Sequence, residues 1–119
     1  MLHDQGDLRV RTREYARRVA RVFRALPRER IAQVWGEQLL RAGGSVGANY
    51  REAQRARSDA EYCSKLGDSL READESLYWM ELLELEGIIP SRRLSPLKDE
   101  GDQLIAIFVT LIRKGRRLD

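Results

Sequence analysis

Six polar residues have types and helical spacings that could carry chemistry. Steps of 4, 4 and 3 residues place four of them in one row, and two glutamates follow on a later segment: Arg41, Ser45, Asn49 and Glu52, then Glu72 and Glu75. Paired carboxylates can act as acid and base or bind a metal ion, but catalysis would also require a cleft and a nucleophile, and the sequence indicates neither. We therefore predict a structural network in which Arg41 neutralises a glutamate and fixes helix register. The alternative is a small-ligand or enzymatic site around Arg41, Asn49 and Glu72.

The sequence lacks the residues that metal binding, cofactor binding or nucleophilic catalysis would need. Di-iron bundles combine carboxylates with Glu-x-x-His on two helices, whereas the one histidine of the chain, His3, lies in the N-terminal tail. The glycines of the central segment lie inside a predicted helix and form no phosphate-binding loop. The single Cys63 has no intramolecular disulfide partner, which indicates a reducing compartment, the cytoplasm. We predict no catalytic residue, no metal and no cofactor.

Five arginines form the strongest candidate for a binding surface. At 1.5 Å per residue they would span about 22 Å of one helix, and they lie opposite its apolar stripe: Arg13, Arg17, Arg21, Arg24 and Arg28. Guanidinium groups suit phosphates, so RNA or DNA is the expected partner. No aromatic residue is interleaved with them, so base stacking is not expected to contribute. The alternative is a solvated face without a ligand.

The charge of the chain is distributed unevenly. Residues 1–57 carry a net charge of +7, residues 58–86 carry −7 and residues 87–119 carry +3, which leaves +3 for the whole chain. Either oppositely charged helices face each other within or between subunits, or the basic half binds a polyanion. No apolar run approaches the ~18 residues of a membrane span, so no membrane partner is expected.

Hydrophobic periodicity predicts four helices that must position these residues. A chain of 119 residues is long enough for one domain, and we assign all of residues 1–119 to it. Pro27 separates the first two helices, Ser58 and Glu61 form a capping box before the third, and a turn precedes Pro90. Short connections then predict an all-α, antiparallel up-down four-helix bundle. The predicted helices are about 8–26, 28–56, 59–86 and 91–115.

The apolar positions predict the inner face of each helix. In the first helix this face comprises Leu8, Thr12, Tyr15, Val19, Val22 and Leu26. In the second it comprises Ile31, Trp35, Gln38, Ala42, Val46, Asn49 and Ala53. In the third and fourth it comprises Tyr62, Leu66, Ser69, Ala73, Leu77 and Met80, and Leu94, Leu97, Leu104, Phe108 and Leu111.

Two surfaces carry more small or apolar residues than the packing of a single four-helix bundle requires. The second helix carries three glycines on one face, although each interior glycine costs about 1 kcal/mol of helix stability relative to alanine. The segments 77–85 and 104–112 are apolar all round, which is typical of helices that are buried all round. Both features predict a homo-oligomer whose interface includes Gly36, Gly43, Gly47, Tyr78 and Trp79. For the glycines, the alternative is close packing inside the same bundle.

The run RAGGSVGANYREA at residues 41–53 and the run LREADESLYW at residues 70–79 resemble the bacterial four-helix bundle proteins encoded in intervening sequences of 23S rRNA genes. Leu26-Pro27 and the segment from Ser58 to Tyr62 add to the resemblance, which covers roughly residues 20–115. At Ala53-Gln54-Arg55 the chain departs from the glycine-rich version that many members have.

The resemblance implies an up-down four-helix bundle, a homopentameric ring and no established enzymatic activity. The family is also similar to the accessory protein of diversity-generating retroelements, a basic pentamer that binds nucleic acid and a reverse transcriptase. By analogy, the resemblance implies that this chain binds itself, RNA or DNA, and a protein partner that is not identified. We expect a non-enzymatic protein whose physiological role the sequence does not name.

Overall fold

A computed structural model describes the backbone of residues 3–118 and the side chains of residues 8–117. Within that part of the chain, all regular structure is helical, and short connections join the helices. The prediction of an all-α four-helix bundle is confirmed. The helices are α1 (His3–Ala25), α2 (Arg30–Gln54), α3 (Asp59–Leu85) and α4 (Ser91–Leu118). The backbone of α1 therefore begins before the predicted Leu8, and α4 ends after the predicted Gly115.

Local sequence signals explain where α3 begins and ends. The Ser58 side chain accepts a hydrogen bond of 3.1 Å from the backbone N–H of Glu61, as the capping signature predicts. At the other end, Gly87 has a φ of 70°, in the left-handed region that glycine tolerates. The N–H groups of Gly87 and Ile88 donate to the carbonyls of Glu84 and Leu83, each at 3.0 Å. These bonds form a Schellman motif, which ends the helix and turns the chain toward α4.

The helices form a long bundle with extents of 48 × 22 × 20 Å. Helix α2 packs on α1 and α3, and α3 packs on α4, whereas α1 and α4 contact each other least. The backbones of α1 and α3 are not in contact, so these two helices lie diagonally across the bundle. The side of the bundle between α1 and α4 is therefore the most open.

The predicted inner faces of α1, α3 and α4 are largely confirmed. In α1, only Val22 of the predicted stripe is half-buried, and the other predicted positions are buried. Ser76 and Leu83 join the inner face of α3 in addition to the predicted residues, while Tyr62 and Leu77 are half-buried there. In α4, Leu111 is half-buried and the other four predicted leucine and phenylalanine positions are buried.

The predicted inner face of α2 is confirmed at Ala42, Val46 and Ala53 and is wrong by about one residue at the other positions. Ile31 is 48% exposed, and Trp35, Gln38 and Asn49 are only half-buried. The buried face instead comprises Ala32, Gly36, Leu39, Ala42, Gly43, Val46, Tyr50 and Ala53. Glycine and alanine give this face little hydrophobic signal, so the larger residues beside it were mistaken for the core.

The three glycines assigned to a subunit interface lie instead between α1 and α2 of one chain. A Cβ atom added at Gly43 would lie 2.8 Å from Val19 Cγ2, and one at Gly47 would lie 3.0 Å from Thr12 Oγ1. A Cβ added at Gly36 would collide with the tip of Leu26. Helix α1 therefore occupies this glycine face, and the intersubunit assignment is corrected to close packing within the bundle.

Candidate nucleic-acid interface

The five predicted arginines lie on the outer side of α1 and in the connection that follows it, and all five are exposed. Glu14 lies beside two of them, with its Oε2 3.0 Å from Arg17 Nη1 and 3.8 Å from Arg13 Nε. The other three, Arg21, Arg24 and Arg28, form no ion pair with any residue in the described part of the chain. The stripe is therefore partly neutralised at its N-terminal end and carries its full charge toward its C-terminal end.

Two grooves extend the positive charge to both sides of α1. The α1/α4 groove has a volume of about 230 Å³ and combines Arg18, Arg21 and Arg93 with an apolar floor that includes Val22 and Leu97. The α1/α2 groove has a volume of about 280 Å³ and a rim of three further arginine side chains, those of Arg9, Arg13 and Arg51. Among the side chains of residues 8–117, no Asp or Glu lines either groove. The five arginines of the stripe are thus the centre of a broader basic surface.

Sequence reasoning missed four arginines of this surface, Arg9, Arg18, Arg51 and Arg93. Arg51 was detectable, because Gly44, Gly47, Ala48 and Arg51 follow one another at the spacing of a single helical face. The contribution of Arg93 depends on which side of α1 the fourth helix occupies, which periodicity alone does not reveal.

Not every arginine of α1 contributes to the basic surface. Arg11 points toward α4, where its Nε and Nη2 donate to the carboxylate of Glu100 at 3.0 and 2.8 Å. Its Nη2 also donates to Gln103 Oε1 at 2.9 Å. Arg11 therefore serves to hold α1 against α4.

Acidic side chains concentrate on α3, the helix diagonal to α1. They include Asp68, Glu72, Asp74, Glu75 and Glu81. The hypothesis that oppositely charged helices face each other holds for α2 and α3, where Arg41 contacts glutamates, but not for α1 and α3. One side of the bundle is consequently basic and the opposite side acidic, a distribution that attracts anions toward α1.

The six predicted network residues separate into smaller groups. Arg41 bridges α2 and α3, with its Nη1 3.2 Å from Glu72 Oε1 and its Nη2 2.6 Å from Glu75 Oε2. Ser45 donates at 2.8 Å to the Arg41 carbonyl, and Asn49 donates at 3.0 Å to the Ser45 carbonyl. Glu52 pairs separately with Lys65 at 2.8 Å. The contact of Arg41 with glutamates agrees with the prediction, whereas Ser45 and Asn49 bond to the backbone of their own helix.

The Arg41 cluster has the electrostatics of a surface ion pair. The hydrogen bond from Arg41 lowers the pKa of Glu75, whereas partial burial is the main cause that raises the pKa of Glu72. The side chain of Arg41 remains 47% exposed, so the cluster adds little to stability. Neither the α1/α4 groove nor the α1/α2 groove is lined by Arg41, Asn49 or Glu72. The alternative of a small-ligand or enzymatic site therefore gains no support from this geometry.

The two aromatic residues assigned to an interface differ in exposure. Tyr78 is 52% exposed, and Trp79 is half-buried and donates from Nε1 to Glu75 Oε1 at 3.4 Å. Their rings meet edge to face with centroids 5.2 Å apart. Leu85 on the same helix is 72% exposed, and Ile31 and Val34 on α2 are 48% and 46% exposed. Because α2 and α3 are antiparallel, these apolar side chains lie at one end of the bundle.

The remaining candidate chemistry is limited. Cys63 is half-buried, and its Sγ lies 3.7 Å from the Ile112 carbonyl oxygen. Among the described side chains, those of residues 8–117, no cluster of three or more His, Cys, Asp or Glu residues is arranged to hold a metal ion. Across residues 3–118, each helix is too polar to serve as a membrane span.

The fold and the surface charge define a class: an all-α four-helix bundle with a basic face on its first helix. Residues 7–110 match the model of the 23S rRNA-intervening sequence protein family. The chain belongs to that family, and the resemblance inferred from its sequence is confirmed.

A crystal structure of a protein of unknown function from the S23 ribosomal protein family of Bacteroides thetaiotaomicron is similar in fold. The two chains are 32% identical, with a TM-score of 0.82 over 87% of this chain and 96% of the other. A search of curated proteins finds no match.

Proposed function

We propose that this protein is a non-enzymatic, homo-oligomeric helical bundle that binds RNA or DNA through the basic face of α1. One observation carries the proposal: arginines run along the outer side of α1 and line the grooves on both sides of it, and in the described part of the chain the only carboxylate paired with them is that of Glu14, beside Arg13 and Arg17. The arginines that serve the fold differ from them, because Arg11 and Arg41 each bind a carboxylate on another helix.

Phosphates are the ligand that this surface fits best. Guanidinium groups bind phosphates through two parallel hydrogen bonds, and each phosphate contact releases condensed counterions. A surface of this kind tolerates different base sequences, because its contacts are to the backbone of the nucleic acid. In an oligomer the face is repeated, so modest attraction per subunit becomes multivalent binding.

We expect the substitution of Arg17, Arg21 and Arg24 by glutamine to weaken nucleic-acid binding about tenfold or more at low salt. The dependence of log K on log salt should become shallower by about 2 units, since about three phosphate contacts are lost. Fluorescence anisotropy with labelled single-stranded RNA and DNA at two salt concentrations measures both effects.

A matched control variant removes the same amount of positive charge from α3 and α4. Arg71, Arg113 and Arg116 are exposed on α3 and α4 and line neither arginine groove, so their substitution by glutamine should change the affinity much less. Absence of binding by the unmodified protein at low salt, or equal losses in the two triple variants, would contradict the proposed interface.

We base the proposed homo-oligomer on the exposed apolar side chains at one end of α2 and α3. The exposed side chains of Ile31, Val34, Tyr78 and Leu85 would be covered if copies of the chain met there. The family resemblance implies five copies, so we expect light scattering to give about five times the 13.8 kDa of one chain.

Charge introduced at this end should separate the copies. We expect the double substitution Tyr78→Glu and Leu85→Glu to reduce the mass toward that of one chain while leaving the helical circular dichroism unchanged, because both side chains are exposed. Val10, which is 45% exposed on α1, offers a control position for the same change. A mass of 13.8 kDa for the unmodified protein at micromolar concentration would refute the oligomer.

A further inference from the structure

The α1/α2 groove combines a positive rim with a floor of small residues. Its rim carries Arg9, Arg13 and Arg51, and its floor includes Gly44, Gly47 and Ala48. At Gly47 an added Cβ would lie 3.0 Å from Thr12 Oγ1 and 3.5 Å from the Thr12 carbonyl carbon, so the two helices approach closely along one edge of the groove. The groove is therefore shallow, with helix backbone close to its surface.

Gly44 is the glycine of α2 that packing within the chain does not explain. Gly36, Gly43 and Gly47 each face a side chain of α1 or of the residues just after it, which a Cβ atom would crowd. A Cβ added at Gly44 would meet nothing within 4 Å. Since an interior glycine weakens a helix relative to alanine, the absence of a side chain at this exposed position indicates that the space above it is used.

The charges around the groove indicate which class of ligand it binds. Arg9 and Arg51 form no ion pair with any side chain of residues 8–117, and the nearest carboxylate to Arg13 is that of Glu14, at 3.8 Å. Three guanidinium groups on one rim repel each other unless an anion lies between them. The volume of about 280 Å³ is close to the lower end of the range for small-molecule sites. A phosphate with part of its sugar is a ligand of suitable size and charge.

We propose that the α1/α2 groove binds a backbone phosphate of a nucleic acid, with Arg9, Arg13 and Arg51 as phosphate ligands and Gly44 as the open floor. The inference rests on the proposed function and gives it a defined site. The arginine stripe then supplies general attraction, while the groove fixes where one phosphate sits.

Two substitutions test the site in different ways. Gly44→Leu fills the groove without changing the charge, and the double substitution Arg9→Gln with Arg51→Gln removes charge without filling it. We expect each variant to bind labelled oligothymidylate at least about tenfold more weakly than the unmodified protein at low salt, because filling removes the room for the sugar and loss of the guanidinium groups removes counterion release.

Matched controls accompany each substitution. Gly67→Leu adds the same side chain at a half-buried position of α3, where an added Cβ meets only the end of Arg71 at 4.0 Å. The double substitution Arg113→Gln with Arg116→Gln removes the same charge from α4. We expect both controls to retain affinity within about threefold. In ¹⁵N–¹H spectra, oligothymidylate should shift the amide signals of Gly44, Gly47 and Ala48 more than those of α3.

The outcomes of these binding experiments distinguish a failure of the groove site from a failure of the proposed nucleic-acid binding. If the groove variants bind as well as the unmodified protein while the Arg17, Arg21 and Arg24 variant does not, the groove is not a phosphate site and the proposed function stands. If the unmodified protein does not bind oligothymidylate, RNA or DNA at low salt, both proposals fail. If Gly44→Leu changes the mass of the oligomer and leaves binding intact, a second copy of the chain fills the groove and the phosphate site is refuted.

Discussion

Alanine substitutions at the two adjacent glycines Gly43 and Gly44 are expected to change stability in opposite directions. At Gly43 the new Cβ would lie 2.8 and 2.9 Å from the two methyl groups of Val19 and 3.1 Å from its Cβ. Valine is restricted at χ1, so α1 itself must shift, and overpacking of this kind costs about 1–3 kcal/mol. At Gly44 the Cβ meets nothing, and the gain in helix propensity is about 1 kcal/mol.

Urea unfolding followed by circular dichroism measures both changes. Gly43→Ala should lower the free energy of unfolding, and Gly44→Ala should raise it. Val19→Ala in the Gly43→Ala background should cost less than Val19→Ala alone, because the smaller side chain relieves the crowded contact. Equal stabilisation by the two alanines would show that α1 does not pack on α2 as described.

The second large effect is a loss of stability between pH 10 and pH 12. Tyr15 and Tyr50 are fully buried, and burial raises the pKa of each phenol to about 12. The unfolded chain releases these protons near pH 10, so the stabilisation is fully present below pH 10 and is lost as the pH rises toward the folded pKa. The loss is about 2 kcal/mol for each tyrosine by pH 12.

The hydrogen bond between Tyr15 and Ser76 lowers the pKa of Tyr15, but burial raises it by more. Ser76 Oγ donates to the Ala73 carbonyl at 2.6 Å and lies 2.6 Å from the Tyr15 hydroxyl. Either hydroxyl can donate in their bond, and the Ser76 hydroxyl can rotate toward a phenolate at Tyr15, so the raised pKa of Tyr15 is due to burial.

Phenylalanine substitutions provide the control for the pH effect. Tyr50→Phe keeps the ring near Phe108, whose centroid lies 6.3 Å away, and should remove about half of the stability loss measured by urea unfolding at pH 8 and pH 11.5. Tyr15→Phe should remove a similar share. If the folded protein showed phenolate absorbance from all four tyrosines near pH 10, the raised pKa values would be refuted.

The sequence predicted the inner face of α1 better than that of α2 for a physical reason. In α1 the buried positions carry large side chains, such as Leu8, Tyr15 and Val19, so the hydrophobic period follows the core. In α2 the positions closest to α1 include the glycines Gly36, Gly43 and Gly47, because the helices approach closely there. Larger residues beside these glycines, such as the exposed Ile31 and the half-buried Trp35, then dominate the periodicity and shift part of the prediction by one position.

The candidate interface was predictable only in part. The exposure of Arg13, Arg17, Arg21, Arg24 and Arg28 follows from their position opposite the apolar stripe of α1. The pairing of Arg9 and Arg13 with Arg51 across a groove depends on the antiparallel register of α1 and α2, in which Thr12 faces Gly47 and Leu26 faces Gly36. That register is set by close packing at the glycines, which sequence reasoning had assigned to contacts between subunits.

The limited contact between α1 and α4 also affects how the bundle opens. Helix α1 rests mainly on α2 and is joined to the other two helices by few bonds, such as those of Arg11 with Glu100 and of Tyr15 with Ser76. Sub-global opening would therefore release α1 first and leave α2, α3 and α4 together, so that the amides of α1 exchange with solvent soonest. A polyanion held on α1 would slow that exchange by mass action, because it binds the closed bundle and is lost when the helix detaches.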